Sequence, residues 1–451
     1  MSRRLERAPD ARAVAHEVLV RVETTDAFAD VLLSHRLAEE RLAPADRSLA
    51  TRLVYGSLAW QRRLDHHLAP CLHMPVVALE PAVRAALRLG LYQLLFLDRV
   101  PAYAAVDASV RLAGRACGRG AAGLVNAVLR RAAAKGAATL PPSGSLERLA
   151  VEWSHPSWLV ERWAREFGRD ALPAVLAANN RRAPTALRTN RLRTTPERLA
   201  AELAAAGVAT RPGAWSPDTL VVERGGARVR ELAAYRAGWL AFQGEASQLV
   251  ALLLDPARGA HLLDACAAPG GKAMHAAGLT GPEGRIIALD PHRGGLRRVA
   301  AEAVRLGISG VFPVVADARR PPVTRPLDAV LVDAPCSGLG TLRRHPEVRW
   351  RRRPEDIPRL AALQQEILQG MAPLVRPGGV LVYAVCTLAR DENEQVVEEF
   401  QRAEPRFVLE DARAHLPASA AAAVTADGFL RTLPDRHGLD GFFAARLRAV
   451  S

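Results

Sequence analysis

The 451-residue chain reads as a multidomain protein: an all-α helical bundle, a small α+β module, then an α/β domain with a doubly wound sheet. Three observations predict it. Apolar residues recur at three- and four-residue spacing from about residue 8 to 136. A Gly/Pro/Ser-rich stretch, GAATLPPSGS at 136–145, then interrupts the pattern. From about residue 242 onward, short apolar runs alternate with helical stretches.

The bundle, 1–140, rests on periodicities such as Val14, Val18, Leu19 and Val22, and Leu87, Leu91, Leu94 and Leu95. No alternating strand pattern interrupts it. In the middle module, 147–241, helices are expected at Trp158–Phe167, Leu172–Asn179 and Pro196–Ala205, the last ended by Gly207. Strand-like runs stand at Thr185–Thr189 and Thr219–Val222. In the last domain, 242–451, strands are expected at His261–Asp264, Arg285–Asp290, Gly310–Val315, Asp328–Asp333 and Gly379–Val385. Short apolar strands separated by helices specify a parallel sheet covered on both faces.

A net charge of +14 and a pI near 10.6 point to a polyanionic partner. The basic side chains are arginine everywhere except Lys135 and Lys272, so a site that keeps lysine calls for an ammonium. Five cysteines, Cys71, Cys117, Cys266, Cys336 and Cys386, form no CxxC pair, so neither a disulfide framework nor a metal site is expected. No secretory leader and no run of 18 apolar residues is visible, and the chain is expected in the cytoplasm with free thiols.

The first strand of the last domain runs into DACAAPGGK, so Cys266, Ala267, Ala268, Pro269, Gly270, Gly271 and Lys272 form a turn into a helix. Such a turn lets a ligand approach the backbone, and the helix N-terminus favours a carboxylate on it. The motif is not GxGxxG. Asp290 ends the next strand twenty residues after Gly270, a distance that suits ribose hydroxyls, and Asp317 ends the third, placed for a base edge. One nucleoside-bearing cofactor satisfies all three. The fourth strand delivers Asp333, Pro335 and Cys336, and the fifth delivers Cys386. In an open parallel sheet these ends face one crevice. Such a set suits methylation at C5 of cytosine. A thiolate adding to C6 turns the ring into an enamine that can attack a methyl sulfonium. Asp333 would hold the base edge, Lys272 would orient Asp333 or favour a thiolate, and the second cysteine would assist elimination. The base must be unpaired or extruded to enter.

The motifs DACAAPGGK (264–272), DAPCSGLGTLRRHPEVRW (333–350), VYAVCTLARDENE (382–394) and DGFFAARL (440–447) resemble those of the bacterial small-subunit ribosomal RNA cytosine-C5 methyltransferase B family, the Sun or Fmu type. The resemblance implies S-adenosyl-L-methionine as cofactor and a Rossmann-like methyltransferase domain. It implies Cys386 as nucleophile and Cys336 in product release. It also implies cofactor roles for the 266–272 turn, Asp290, Asp317 and Asp333. The substrate implied is 16S rRNA at a cytosine of the 967 type, naked or in a partly assembled small subunit. Residues 46–65, 87–110 and 123–131 are similar to the NusB-like RNA-binding domain of that family, and HPSWLVERWAREFG and LRTNRLR match its middle module.

Three positions depart from the family pattern. Gly295 stands where an Arg is usual, Gly244 where an Asp is usual, and Val385 where Thr is common. Competing readings are a methyltransferase acting on tRNA or DNA and a non-catalytic ribosome-assembly factor. The second cysteine argues against DNA, and a binding factor leaves Cys336, Cys386 and Lys272 unexplained. The arginine run 349–353 reads equally as an RNA contact or a solvated face.

Overall fold

The computed structural model describes residues 10–450 apart from 41 and 137. The start of the expected first helix, residues 8 and 9, and one residue of the expected linker lie outside these. The chain forms two compact units. One is the chain to Arg181 together with Leu342–Arg351; the other is Arg182–Thr341 with Arg352–Ser451.

The first unit is helical: α1 (Ala11–Thr24), α2 (Ala29–Glu39), α3 (Pro44–Ala59), α4 (Gln61–Leu68), α5 (Pro81–Phe96), α6 (Ala102–Lys135, broken at Gly118), α7 (Leu146–Glu152), α8 (Ser157–Phe167) and α9 (Leu172–Asn179). The sequence dictates the start of α1 directly, since the Asp10 carboxylate accepts from the backbone N–H of Arg12 and Ala13. The stripe Val14, Val18, Leu19 and Val22 is buried against Leu53, Leu87 and their neighbours. On α5, Leu87 and Leu91 are buried, whereas Leu95 is exposed.

The second unit opens with β1 (Thr185–Thr189), α10 (Pro196–Ala205), β2 (Ala209–Pro212), β3 (Thr219–Arg224), α11 (Ala233–Arg236) and β4 (Leu240–Phe242). These strands form an antiparallel sheet in the order β2-β3-β1-β4, with Leu199 and Leu203 of α10 in its core. There follow α12 (Glu245–Leu253), β5 (His261–Ala265), α13 (Gly271–Thr280), β6 (Arg285–Asp290), α14 (Arg293–Leu306), β7 (Val311–Val315) and β8 (Leu327–Asp333). After α15 (Val348–Arg351), which belongs to the first unit, come α16 (Asp356–Met371), β9 (Val375–Val385), α17 (Glu394–Ala403), β10 (Phe407–Glu410), β11 (Leu430–Thr432) and β12 (Phe442–Ala449).

The large sheet has the order β10-β12-β9-β8-β5-β6-β7. From β9 to β7 all pairs are parallel, as expected. The expectation of a wholly parallel sheet is corrected at one edge, where β12 runs antiparallel to β9 and carries β10 and β11, also antiparallel. The strand order reverses between β5 and β8, and the crevice at their carboxyl ends is where such sheets bind ligands. Among the described residues no helix is long and apolar enough to cross a membrane.

Of the arginine run 349–353 only Arg353 is exposed; Arg349 and Arg351 form neither of the surfaces expected. Leu342–Arg351 is a strap that completes the helical unit. Arg349 is fully buried, and its guanidinium donates to the carbonyls of Ala59 (3.3 Å), Ser154 (3.0 Å) and Asn179 (3.3 Å) and to the Asn180 side chain (2.8 Å). Burial pulls its pKa down to about 9. Trp350 Nε1 donates to the Leu58 carbonyl, and Arg351 gathers the carbonyls of Val22, Thr25, Asp26 and Ala27. Glu347 Oε1 accepts from the Ala29 N–H (2.9 Å), capping α2, whose own N-cap, Phe28, has no side-chain acceptor. These contacts satisfy helix-end and loop polar groups that burial would otherwise strand. Arg349→Leu should therefore destabilise the helical unit by about 3 kcal/mol in denaturant titration, and the exposed Arg353→Ala should leave the transition in place.

Candidate active site

The crevice is built on one register. Where β8 pairs with β9, Asp333 lies opposite Ala384. Cys336 follows three residues after Asp333 and Cys386 two after Ala384, which brings the sulfurs to 3.3 Å of one another, both part-buried. The hydrogen bond to Cys386, and then burial, hold the Cys336 thiol well above the usual range.

Lys272, in the first turn of α13, donates to Asp333 Oδ2 at 2.6 Å. Burial opposes its charge, but the Asp333 carboxylate outweighs that and raises its pKa, with Cys386 among the further groups that favour the ammonium. The Lys272 ammonium also lies 5.2 Å from the centre of the Phe442 ring, on the antiparallel strand β12. The structure thus brings together Lys272, Asp333, Cys336 and Cys386, as expected. Cys71, buried, and Cys117, exposed, belong to the helical unit.

The expected cofactor turn leaves β5 through Cys266 (φ +64°) and Gly270 (φ +108°) into α13. A side chain at Gly270 would be strained by that φ and would meet Val299 at 3.2 Å. Burial pushes the Cys266 thiol up, so it stays neutral in the turn. The Asp290 carboxylate is buried and braces the turn, accepting from the Ala268 N–H (3.1 Å) and from the N–H of His292 (2.8 Å). Asp317 is exposed, and its carboxylate is engaged by the backbone and guanidinium of Arg319. Acceptors at successive strand ends, with the N–H donors of a helix N-terminus beside them, are the groups that a nucleoside with a carboxylate tail needs. The residues present therefore fit S-adenosylmethionine.

The departure at Gly295 has a steric reason. A Cβ there, on the first turn of α14, would stand 2.6 Å from the Ala268 Cβ, so helix and cofactor turn approach too closely for a side chain. At Gly244 the missing Asp leaves α12 without a side-chain cap.

Sequence reasoning passed over two carboxylates. Asp264 on β5 is buried with both oxygens unpartnered, and burial, then the charge of Asp333, pushes its carboxyl well above the usual range. Glu392 is fully buried and touches both cysteine loops. Both stand inside motifs that sequence reasoning quoted, but without spacing that distinguishes them from surface acids.

Three family models match the chain. Residues 9–134 match the NusB family, 155–229 match the ferredoxin-like domain of RsmF/B-like methyltransferases, and 251–448 match the model described as 16S rRNA methyltransferase RsmB/F. The chain is 36% identical over 445 residues to the probable ribosomal RNA small subunit methyltransferase B of Bacillus subtilis, covering 97% of this chain and 98% of that protein. It is 35% identical to ribosomal RNA small subunit methyltransferase B of Pseudomonas putida over 91% of this chain and 92% of that one. The solved structure titled "Crystal Structure of PH0851" superposes with a TM-score of 0.86 at 28% identity, covering 99% of this chain and all of that one. Fold and site together define an S-adenosylmethionine-dependent methyltransferase with NusB-like and ferredoxin-like domains. The chain belongs to the ribosomal RNA small subunit methyltransferase B family.

Restoring a side chain at the α14 approach should push the cofactor turn out of place. Gly295→Ala should weaken S-adenosylmethionine binding roughly tenfold in calorimetry, as expected for overpacking of about 1.4 kcal/mol. Gly294→Ala, where a Cβ would meet nothing within 4 Å, should bind like the parent.

Proposed function

We propose that this protein methylates C5 of a cytosine in 16S rRNA, of the cytosine 967 type, in the cytoplasm during assembly of the small subunit. The observation that carries the reading is the pair of sulfurs 3.3 Å apart at the ends of adjacent parallel strands, beside the Lys272–Asp333 ion pair. Nucleophilic addition to C6 needs one thiolate, and elimination afterwards needs a second group that can take a proton.

S-adenosylmethionine, held by the 266–272 turn, Asp290, Asp317 and Asp333, supplies an electrophilic methyl group when bound. Cys386 adds to C6, and electron density moves towards C5 and N3. Asp333, fixed by Lys272, accepts a hydrogen bond from the cytosine amino group and holds the base edge in place. With its sulfur bonded to C6, Cys386 no longer shares a proton with Cys336. The largest contribution holding that thiol protonated falls away. Once C5 carries the methyl group, Cys336, having lost its own proton to water, takes the proton from C5. The C6–S bond breaks and Cys386 leaves as thiolate.

The two cysteines should fail differently. With RNA and S-adenosylmethionine, Cys336→Ala should accumulate a covalent, nuclease-sensitive enzyme–RNA band on a denaturing gel, and Cys386→Ala should give neither band nor methyl transfer. The band with Cys386→Ala alone reverses the roles; full activity in both sinks the reaction. Methylcytosine mapping in rRNA from a strain lacking the protein identifies the base, and an unchanged rRNA map returns another RNA, such as tRNA, as the acceptor. The NusB-like and ferredoxin-like domains are read as RNA-positioning modules. Affinity for RNA should fall about a thousandfold between about 50 and about 200 mM salt if about six phosphates are contacted. An affinity flat across that range removes the electrostatic part of the reading.

A further inference from the structure

We propose that Glu392 is the positioning residue that sets the distance between the two active-site sulfurs. The inference deepens the thiol chemistry proposed above and rests on it. The geometry behind it belongs entirely to the methyltransferase unit.

The sheet ladder ends before either cysteine. Beyond Asp333 and Val385 the two loops have no strand pairing to keep them in step. One backbone bond, from the Gly340 N–H to the Cys386 carbonyl at 3.0 Å, joins them further on. Side chains supply the rest. Glu392 Oε1 accepts from the backbone N–H of Ser337 at 2.8 Å, the residue after Cys336. Its Oε2 accepts from Thr387 Oγ1 at 3.1 Å, the residue after Cys386. Ser337 Oγ and Thr387 Oγ1 meet at 2.7 Å. A single carboxylate thus holds the neighbour of each cysteine, and the two neighbours hold one another.

The carboxylate is itself held from behind. Gln364 of α16 donates to Glu392 Oε1 at 3.0 Å and to the Pro335 carbonyl at 3.0 Å. Tyr383 donates to Gln364 Oε1 (2.9 Å) and to the Glu392 carbonyl (2.7 Å). From the other side Arg352 donates to the Ser337 carbonyl at 2.8 Å. Glu392, Gln364, Ser337, Thr387 and Tyr383 are all fully buried. Among the described residues, the hydrogen bonds to the Glu392 carboxylate come from the neutral donors of the two loops and of Gln364. A surface acid would not be sunk among neutral donors, and an ion-pair acid would have a cation. What remains for the group is to accept simultaneously from two loops at fixed distance.

A glutamine can do the same with the proton order reversed. Its oxygen accepts from Ser337 and Gln364, its amide donates to Thr387 Oγ1, and Thr387 then donates to Ser337 Oγ. A clamp therefore tolerates Glu392→Gln and not Glu392→Ala, whereas an acid–base group tolerates neither.

The test reads the sulfurs directly and needs no RNA. In full-length protein carrying Cys117→Ser, diamide takes the two thiol hydrogens and leaves a Cys336–Cys386 disulfide, followed by loss of alkylatable thiols and by peptide mass. Glu392→Ala should slow that closure about tenfold, and Glu392→Gln should stay within about threefold of the parent. Thr387→Val, which keeps the volume and removes the hydroxyl, should also slow it, and it serves if Glu392→Ala does not fold. S-adenosylmethionine affinity should be unchanged in each folded variant, and single-turnover methylation should follow the disulfide rates. Equal closure rates in all variants overturn the proposal, as does a loss in Glu392→Gln as large as in Glu392→Ala. If the RNA assay is silent for the parent while the thiol rates separate as stated, the reaction is at fault and the clamp stands.

Discussion

The pairing of β8 with β9 is the constraint on which the site depends. Strand side chains alternate in period two, so a slip of one residue in this register would turn one loop's side chains to the opposite face. Asp333 opposite Ala384 permits a three-residue and a two-residue extension to end at the same point. Everything around the sulfurs follows from that pairing. Lys272 reaches across from α13 to fix the acid at the strand end, and Glu392 reaches back from the turn after β9 to keep the loops in step. The edge strand β12 adds the Phe442 ring against the ammonium, which is one use for an antiparallel strand in an otherwise parallel sheet.

Much of this was legible in the sequence. The strands Thr185–Thr189 and Arg285–Asp290 and the helices Leu172–Asn179 and Pro196–Ala205 match the residues that periodicity marks, because local apolar spacing and local breakers agree there. The cysteine pair was legible because each follows closely on the end of an apolar strand. The parts that were not legible depend on distant partners. In β10 and β11, short segments are recruited by β12 and carry little pattern of their own. A run such as RWRRR shows charge and nothing about where that charge goes. Arg349 is buried because carbonyls from three separate stretches of chain converge on it, which no local pattern announces. Glu392 lies among other acids in RDENE and is singled out only by its depth.

The same lesson bears on net charge. Among the described residues, seven carboxylate side chains are buried, including Asp264, Asp290 and Glu392, against five guanidiniums, including Arg188, Arg349 and Arg446. Folding therefore withdraws more negative than positive charge, and the exposed remainder is more basic than the +14 of the whole chain. Arginine here serves two physical ends. Some guanidiniums satisfy buried carbonyls with a planar fork, and the rest remain for a polyanion.

The strap Leu342–Arg351 also bears on how the protein is made. The helical unit is encoded almost wholly by the first 181 residues, but the side chains that satisfy the ends of α3, α7 and α9 and that cap α2 come from this later segment. Roughly 160 residues separate the two, so at roughly 5–20 residues per second the ribosome needs on the order of ten to thirty seconds to supply them. During that interval the emerging helices carry unpaired carbonyls and an open seat for Arg349 and Trp350. Folding from the N-terminus can begin, but it closes only when the chain has passed through the first four strands of the catalytic sheet and returned.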